Sequence, residues 1–452
     1  MLTLNRRAFL AALLAAPWAP AWAALPSVDK AALAARVREE FLHAWNAYKK
    51  FAWGSDELRP LSKGARNWHS ASLLMTPVDA LDTLLLMGLD GEAKAAADYI
   101  AKNLSFDHDI SVKNFEITIR ILGGLLSGHQ VMRDERLLAL ADDLGQRLLP
   151  AFESKTDMPY MYINLKTGAV RGDVSNPAEI GTLLLEFGTL ARLTRKPVYY
   201  EKAKRALVEL YKRRSPIGLV GSTINVETGA WVNTRSHIGG GIDSYYEYLL
   251  KSWLLFGDED CGEMWRKSVA ALNKYLAHET ESGLWYGRVE METGKRVATR
   301  YGALDAFLPA VLALGGDLDR ARRLQESGYK MWQVAGIEPE ALDYSTMKIT
   351  SPGYPLRPEI MESAYYLYFL TREARWLEMG RVFFEGLVQH CRTEAGYAAL
   401  RNVETKEKAD NMESFFLAET LKYLYLLFAP PETLDLKAVV FNTEAHPLRK
   451  TW

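Results

Sequence analysis

Seven times along this chain of 452 residues, a short loop delivers an acidic residue to the start of a stretch that is apolar and aromatic almost throughout. The stretches are PVDALDTLLLMGL from Pro77, NFEITIRILGGLLSG from Asn114, PAEIGTLLLEFGTLARLT from Pro177 and GGIDSYYEYLLKSWLLFG from Gly240, then YGALDAFLPAVLALGG from Tyr301, LRPEIMESAYYLYFLT from Leu356 and KADNMESFFLAETLKYLYLLF from Lys408. Their leading acids are Asp79, Glu116, Glu179, Asp243, Asp305, Glu359 and Glu413, spaced 37, 63, 64, 62, 54 and 54 residues apart. Alternating with them run seven charged segments, from Lys30, Glu92, Glu135, Val198, Cys261, Asp317 and Glu373, with apolar residues at i, i+3 and i+4. A helix apolar all round must be buried on every side, whereas one with a charged face lies half in solvent. Alternation of the two at this period means helix hairpins closed into a ring, apolar helices inside and amphipathic ones outside. The expectation is an all-α fold, an (α/α)7 barrel.

In such a ring all seven acids fall at one end. An acid at a helix start is favoured by the exposed N–H groups and the helix dipole, which accounts for any one of them. Seven around one partly desolvated mouth destabilise the fold unless a cation, arginines or raised pKa values relieve them. Paired carboxylates facing an aromatic cavity are the equipment of glycoside hydrolysis: one protonates the leaving oxygen, another activates water. Arg120 lies one turn from Glu116 on the same helix face, and Arg357 stands two residues before Glu359; either can clamp hydroxyls or orient a carboxylate. Helical toroids also house lyases, cyclases and non-catalytic proteins, so the fold alone does not decide.

The net charge is −1 and the pI about 6.7, which leaves no basic stripe for nucleic acid. Residues 1–23 read as an export signal: Arg6-Arg7 opens a short apolar run and Ala21-Trp22-Ala23 offers a cleavage site before Ala24. The arginine pair is compatible with twin-arginine export. The expectation is a bacterial protein, periplasmic or secreted, with one catalytic domain over 24–452 and no membrane insertion. The two cysteines, Cys261 and Cys391, and the eight scattered histidines form no zinc pattern. A metal here would need oxygen ligands, which points to a hard cation such as calcium. Near the terminus, Val439-Val440-Phe441 is a β-branched apolar run that breaks into Asn442, Thr443, Glu444 and His446. Tails usually fray; this one reads as a short β segment threaded into the barrel from its closed end, raising its polar residues to the base of the acidic cavity.

Taken in order, His43-Ala44-Trp45, YKKFAWGSDELRP (Tyr48 to Pro60), VDALDTLLLMGL, FEITIRILGGLLS, EFGTLARLT, GGGIDSYYEYLLKSW, LRPEIMESAYYLY, DNMESFFLAETLKYLYLLF and FNTEAHPL resemble the motifs of the class I α-1,2-mannosidases, glycoside hydrolase family 47. The resemblance covers nearly all of the mature chain. It implies a monomeric, inverting, calcium-dependent exo-mannosidase that removes terminal α-1,2-linked mannose from mannose-rich oligosaccharides or N-glycans. It implies Glu116 as general acid acting through a water, Glu359 as general base, and Asp305 as a third catalytic carboxylate. Arg120 joins the substrate contacts, and Arg357, Glu362, Glu419 and Glu444 fall where the family contacts mannose or organises calcium and its waters. Phe415 falls at the aromatic floor, and Thr443 at the direct calcium ligand. Two departures stand out: Ala303, two before Asp305, where the family often carries a branch-selecting Arg or Leu, and the lack of a cysteine between the Asp305 and Glu359 regions, where eukaryotic members carry a disulfide. The alternatives are a lectin-like glycan binder with feeble catalysis and a different toroid enzyme, a lyase or a zinc-dependent cyclase.

Overall fold

The computed structural model describes residues 28–450; the signal expected at residues 1–23 lies outside them. Numbered along the chain, the odd helices are the charged segments: α1 (Lys30–Phe51), α3 (Asp90–Asn103), α5 (Glu135–Leu148), α7 (Pro197–Lys212), α9 (Glu259–Tyr275), α11 (Leu318–Ala335) and α13 (Ala374–His390). The even helices are the apolar ones, and several are broken. They are α2 (Met75–Asp79, then Leu81–Leu86), α4 (Asn114–Ile117, a π turn Thr118–Leu122, then Gly123–Met132), α6 (Pro177–Gly181, then Leu184–Thr194) and α8 (Asp243–Phe256). They continue with α10 (a 3-10 turn Ala303–Phe307, then Leu308–Leu314), α12 (Glu359–Thr371) and α14 (a π turn Phe416–Thr420, then Leu421–Phe428).

Each even helix packs against the next, and α14 returns to α2, which closes the inner ring. Each even helix also packs on the odd helix that follows it; α1 covers α14, so the two ends of the fold are joined. This is the (α/α)7 barrel that the alternation predicts. The burial follows the pattern: α9 buries Cys261, Met264, Trp265, Ser268, Ala271 and Leu272, a single stripe, whereas α8 buries almost its whole circumference. Asp29, Asp134, Asp258 and Asp317 cap α1, α5, α9 and α11 by accepting first-turn amide hydrogens, each worth about 1 kcal/mol. Cys261 and Cys391 are buried free thiols.

Small antiparallel sheets clamp one rim. Ser111–Lys113 pairs with Tyr162–Asn164 just before α4, Val174–Ser175 pairs with Thr223–Asn225 just before α6, and Arg300–Gly302 pairs with Ala341–Asp343 just before α10. The chain therefore enters these inner helices from fixed positions on one rim. From the other end, Val439–Phe441 and Pro447–Arg449 form a hairpin inside the ring, packed on α8 and α4. Phe441 is buried edge-on to Tyr423 at 5.7 Å. Gly123 and Gly124 make room for it: a Cβ on Gly123 would stand 2.6 Å from Asn442 Nδ2, and one on Gly124 3.2 Å from His446 Cε1.

Candidate active site

Above the hairpin lies a cavity of about 340 Å³. Thr443 and Glu444 of the hairpin turn line it. Its walls come from the starts of inner helices: Glu116 and Arg120 on α4, Glu179 on α6, Asp243 and Glu247 on α8, Glu359 and Glu362 on α12, and Phe415 and Glu419 at α14, with Arg357 in the loop before α12. Of the residues singled out in the sequence, Glu116, Arg120, Arg357, Glu359, Glu362, Phe415, Glu419, Thr443 and Glu444 meet here.

Asp305 does not line the cavity. It sits one layer back, where the Gly302 amide donates to it and a Cβ on Gly239 would touch its Oδ1 at 2.5 Å. Burial pushes its carboxyl up to about 6, opposed by Arg288 and Arg300. The physical reason is local: Asp305 is the third residue of a 3-10 turn, and its side chain folds back to cap that turn. The wall position is held instead by Asp243, the first residue of α8. Two further leading acids also leave the wall. Asp79 lies beneath the hairpin turn, accepting from Ser414 and facing His446 Nε2 at 3.3 Å, and Glu413 accepts from Asn411 Nδ2 at 3.0 Å.

The positive charges are few and committed. Arg120 pairs with Glu116 at 3.1 Å and with Glu444, approaches Asp79 at 3.7 Å, and stacks over Phe415 at 5.5 Å. Arg357 makes a forked pair with Glu340 at 2.8 and 3.2 Å. Lys251, fully buried, pairs with Glu247 and lies 3.7 Å from Glu362, to which Tyr423 also donates at 3.2 Å. Lys113 reaches Glu179 at 3.0 Å. Even so, burial pushes Glu359 up to about 7, against Arg357. Burial likewise pushes Asp243 and Glu179 up to about 7, opposed by the Ser244 amide and by Lys113. Glu362 and Glu419 are raised by burial and by neighbouring acids. Oε2 of Glu359 has no hydrogen-bond partner among the described residues. The site is thus an oxygen-rich pocket short of positive charge.

Sequence reasoning missed Glu247, Lys251, Glu340 and the wall position of Asp243. The i, i+4 pair in YEYLLK, Glu247 to Lys251, was the available signal for the first two. Glu340 lies 17 residues before Arg357, and nothing local marks it.

A family model described as Glycosyl hydrolase family 47 matches residues 40–450. The chain is 37% identical over 451 residues to "Alpha-mannosidase I MNS5" of Arabidopsis thaliana, covering 93% of this chain and 78% of that protein. It is 38% identical to "ER degradation-enhancing alpha-mannosidase-like protein 2" of Mus musculus, again over 93% and 78%. The solved structure of an α-1,2-mannosidase from Trichoderma reesei superposes with a TM-score of 0.87 at 27% identity, covering 94% of this chain and all of that one. The chain is therefore a glycoside hydrolase and belongs to glycosyl hydrolase family 47, the α-1,2-mannosidase family its motifs resemble.

Proposed function

We propose that the chain is a calcium-dependent, inverting exo-α-1,2-mannosidase acting on terminal mannose of mannose-rich oligosaccharides outside the cytoplasm. The observation that carries this reading is the placement of Glu116 and Glu359 on α4 and α12 of a ring closed below by the hairpin. Two inner helices separate α4 from α12 on one side and three on the other, as far apart as a ring of seven permits. Inversion needs such a separation, because sugar and attacking water must both fit between the two carboxyls. A cavity blocked at its base admits a chain end and does not let a polymer thread through, which favours exo cleavage. Export rests on the N-terminal signal; among the described residues no helix is long and apolar enough to cross a membrane.

Glu116, oriented by Arg120, serves as the acid that protonates the leaving oxygen. Glu359, raised toward neutrality by burial and steadied by Arg357, is matched to taking a proton from water near pH 7. Asp243 on the wall takes the role of third carboxylate first expected of Asp305, and the residue two before it, Gly241, leaves the branch-selecting position without a side chain. Phe415 supplies an apolar face for the sugar.

The donors suit calcium. Among the described residues no group of three His, Cys, Asp or Glu side chains is placed to chelate a metal. Thr443 would bind through its hydroxyl and carbonyl, with Glu362, Glu419 and Glu444 holding surrounding waters. When bound, the ion supplies the positive charge this pocket lacks and an anchor for sugar hydroxyls. A lectin-like role would need neither an oriented acid nor a base raised toward neutrality.

The test is purified protein with α-1,2-mannobiose. Mannose is released in calcium buffer, a chelator stops it, and added calcium restores it. No release in calcium buffer would sink the reading.

A further inference from the structure

Behind the wall that carries Glu359 lies a carboxyl with no part in the site described so far. Glu338, in the loop between α11 and the strand Ala341–Asp343, is fully buried. Neither Oε1 nor Oε2 of its side chain has a hydrogen-bond partner among the described residues. Native interiors rarely leave such a group unpaired, because a desolvated polar atom without a partner destabilises the fold. A buried, strongly perturbed carboxyl beside a reacting group is a functional candidate.

The backbone stitches this loop to the segment that bears the base. Two residues after Glu338, Glu340 donates its amide to Gly353 O at 2.7 Å and accepts the Ala303 amide at 3.1 Å. The Glu340 side chain grips Arg357 through the forked pair, and the Tyr354 hydroxyl donates to Arg357 O at 3.1 Å. Arg357 in turn stands two residues before Glu359. Burial, with Glu359, Glu340 and Asp305 adding to it against Arg357, holds the Glu338 carboxyl well above the usual carboxylate range. Glu359 is the strongest of these charges on it, and Tyr301 and Tyr354 are the other titratable groups beside it. Arg357 is already committed to Glu340, so no free cation serves Glu338 and its carboxyl keeps its proton.

Glu359 has the complementary defect. It is half-buried on the cavity wall, where Arg357, Glu340, Asp243, Glu362 and Glu419 are the charged groups around it, and its Oε2 lacks a donor. A carboxylic acid without an acceptor and a carboxylate oxygen without a donor thus stand on segments tied to each other. We infer that Glu338 is a positioning residue for the base: its carboxyl O–H donates to Oε2 of Glu359 and leaves Oε1 to face the attacking water. A donor to the ionised form favours that form, so Glu359 stays a carboxylate at lower pH than burial alone allows. The inference rests on the glycosidase reading, in which Glu359 is the base.

Kinetics on α-1,2-mannobiose across pH, in calcium buffer, tests it. Glu338→Leu removes the donor: kcat falls about tenfold with KM within about twofold, and the acid limb of kcat/KM moves up by about one pH unit. The same variant melts no lower than wild type, because an unpaired buried carboxyl has gone. Glu338→Gln keeps a neutral donor and brings kcat back to within about threefold of wild type and the limb to within about 0.3 pH unit. An acid limb that stays in place in Glu338→Leu, or that moves as far in Glu338→Gln, overturns the inference. Infrared difference spectra at pH 8 read the same bond without turnover, and decide the matter if Glu338→Leu fails to fold. Wild type minus Glu338→Gln shows a protonated carboxyl, and its band shifts when Glu359→Gln replaces the acceptor; no such band, or no shift, overturns the inference. Wild-type protein that shows the band and its shift yet releases no mannose sinks the hydrolase reading and leaves the hydrogen bond standing.

Discussion

Arg120 reaches Glu116, Glu444 and Asp79 at once, and so joins the cavity wall, the hairpin turn and the layer beneath it. A lysine there would keep the charge and lose the fork. Glu359→Gln removes the base and preserves shape, so kcat is expected to fall by about 10²–10⁴-fold with mannoside binding retained; near-normal turnover would reject the assignment. The wall and the layer behind it are separable in the same assay. Asp243→Asn is expected to lose far more activity than Asp305→Asn, whose side chain caps a turn. The opposite order would restore Asp305 as the third catalytic carboxylate. Below the cavity, Asp82 pairs with Lys422 at 2.6 Å and His446 Nδ1 at 2.6 Å, all fully buried. Burial opposes the imidazolium, but Asp82 and Asp79 raise His446 to about 9. Lys422→Met strands part of that negative charge and is expected to cost about 3–5 kcal/mol, read from the urea midpoint; a change under about 1 kcal/mol would mean that the pair contributes little to stability.

At the scale of elements, the hairpin is as much a part of the site as the helices. Gly123→Ala drives a methyl into Asn442, which otherwise donates to Ile119 O at 2.9 Å and Glu186 Oε1 at 2.7 Å. The expected result is weakened calcium binding and activity with the helical circular dichroism kept; wild-type calcium affinity would show that the turn's position does not matter. The seven-fold alternation was legible because apolar periodicity over ten or more residues is a strong signal, and the β segment Val439–Phe441, though not its partner strand Pro447–Arg449, because a β-branched run there breaks abruptly into polar residues. The π turns that carry Arg120 and Glu419 were not, since a one-residue bulge leaves hydropathy unchanged. The rim strands were missed because two to four residues are too short for a period. A second repeat marks them all the same. Thr167, Thr228, Thr293, Thr346 and Thr405 each follow three residues after Asn164, Asn225, Glu290, Asp343 and Asn402. Each precedes a positive-φ residue, Gly168, Gly229, Gly294, Met347 and Lys406, at φ 72, 72, 70, 55 and 62°. Glycine bears that conformation without strain, and the Asn and Asp side chains accept amides within the turn.

At the scale of the whole molecule, the ring concentrates carboxyls where solvent is scarce, and pH should act on the fold through them. Glu359, Asp243 and Glu179 stand at about 7, against roughly 4 in an unfolded chain. Between about pH 4 and 7 the folded chain then holds protons that the unfolded chain has released, so stability falls as pH rises through that window. A cation favours the ionised pocket. Chelator-treated protein is expected to lose Tm from pH 5 to pH 8, and calcium to raise Tm more at pH 8 than at pH 5; an equal shift at both would separate the ion from these carboxyls. In the inverting reading proposed above, opposite walls of a ring closed at its base perform a single displacement on a terminal α-1,2-mannoside. Proton NMR of the first turnovers on α-1,2-mannobiose, in calcium buffer, reads the outcome of that displacement. β-Mannose is expected as the first-formed anomer; α-mannose first, or no mannose at all, would rule out inversion at this site.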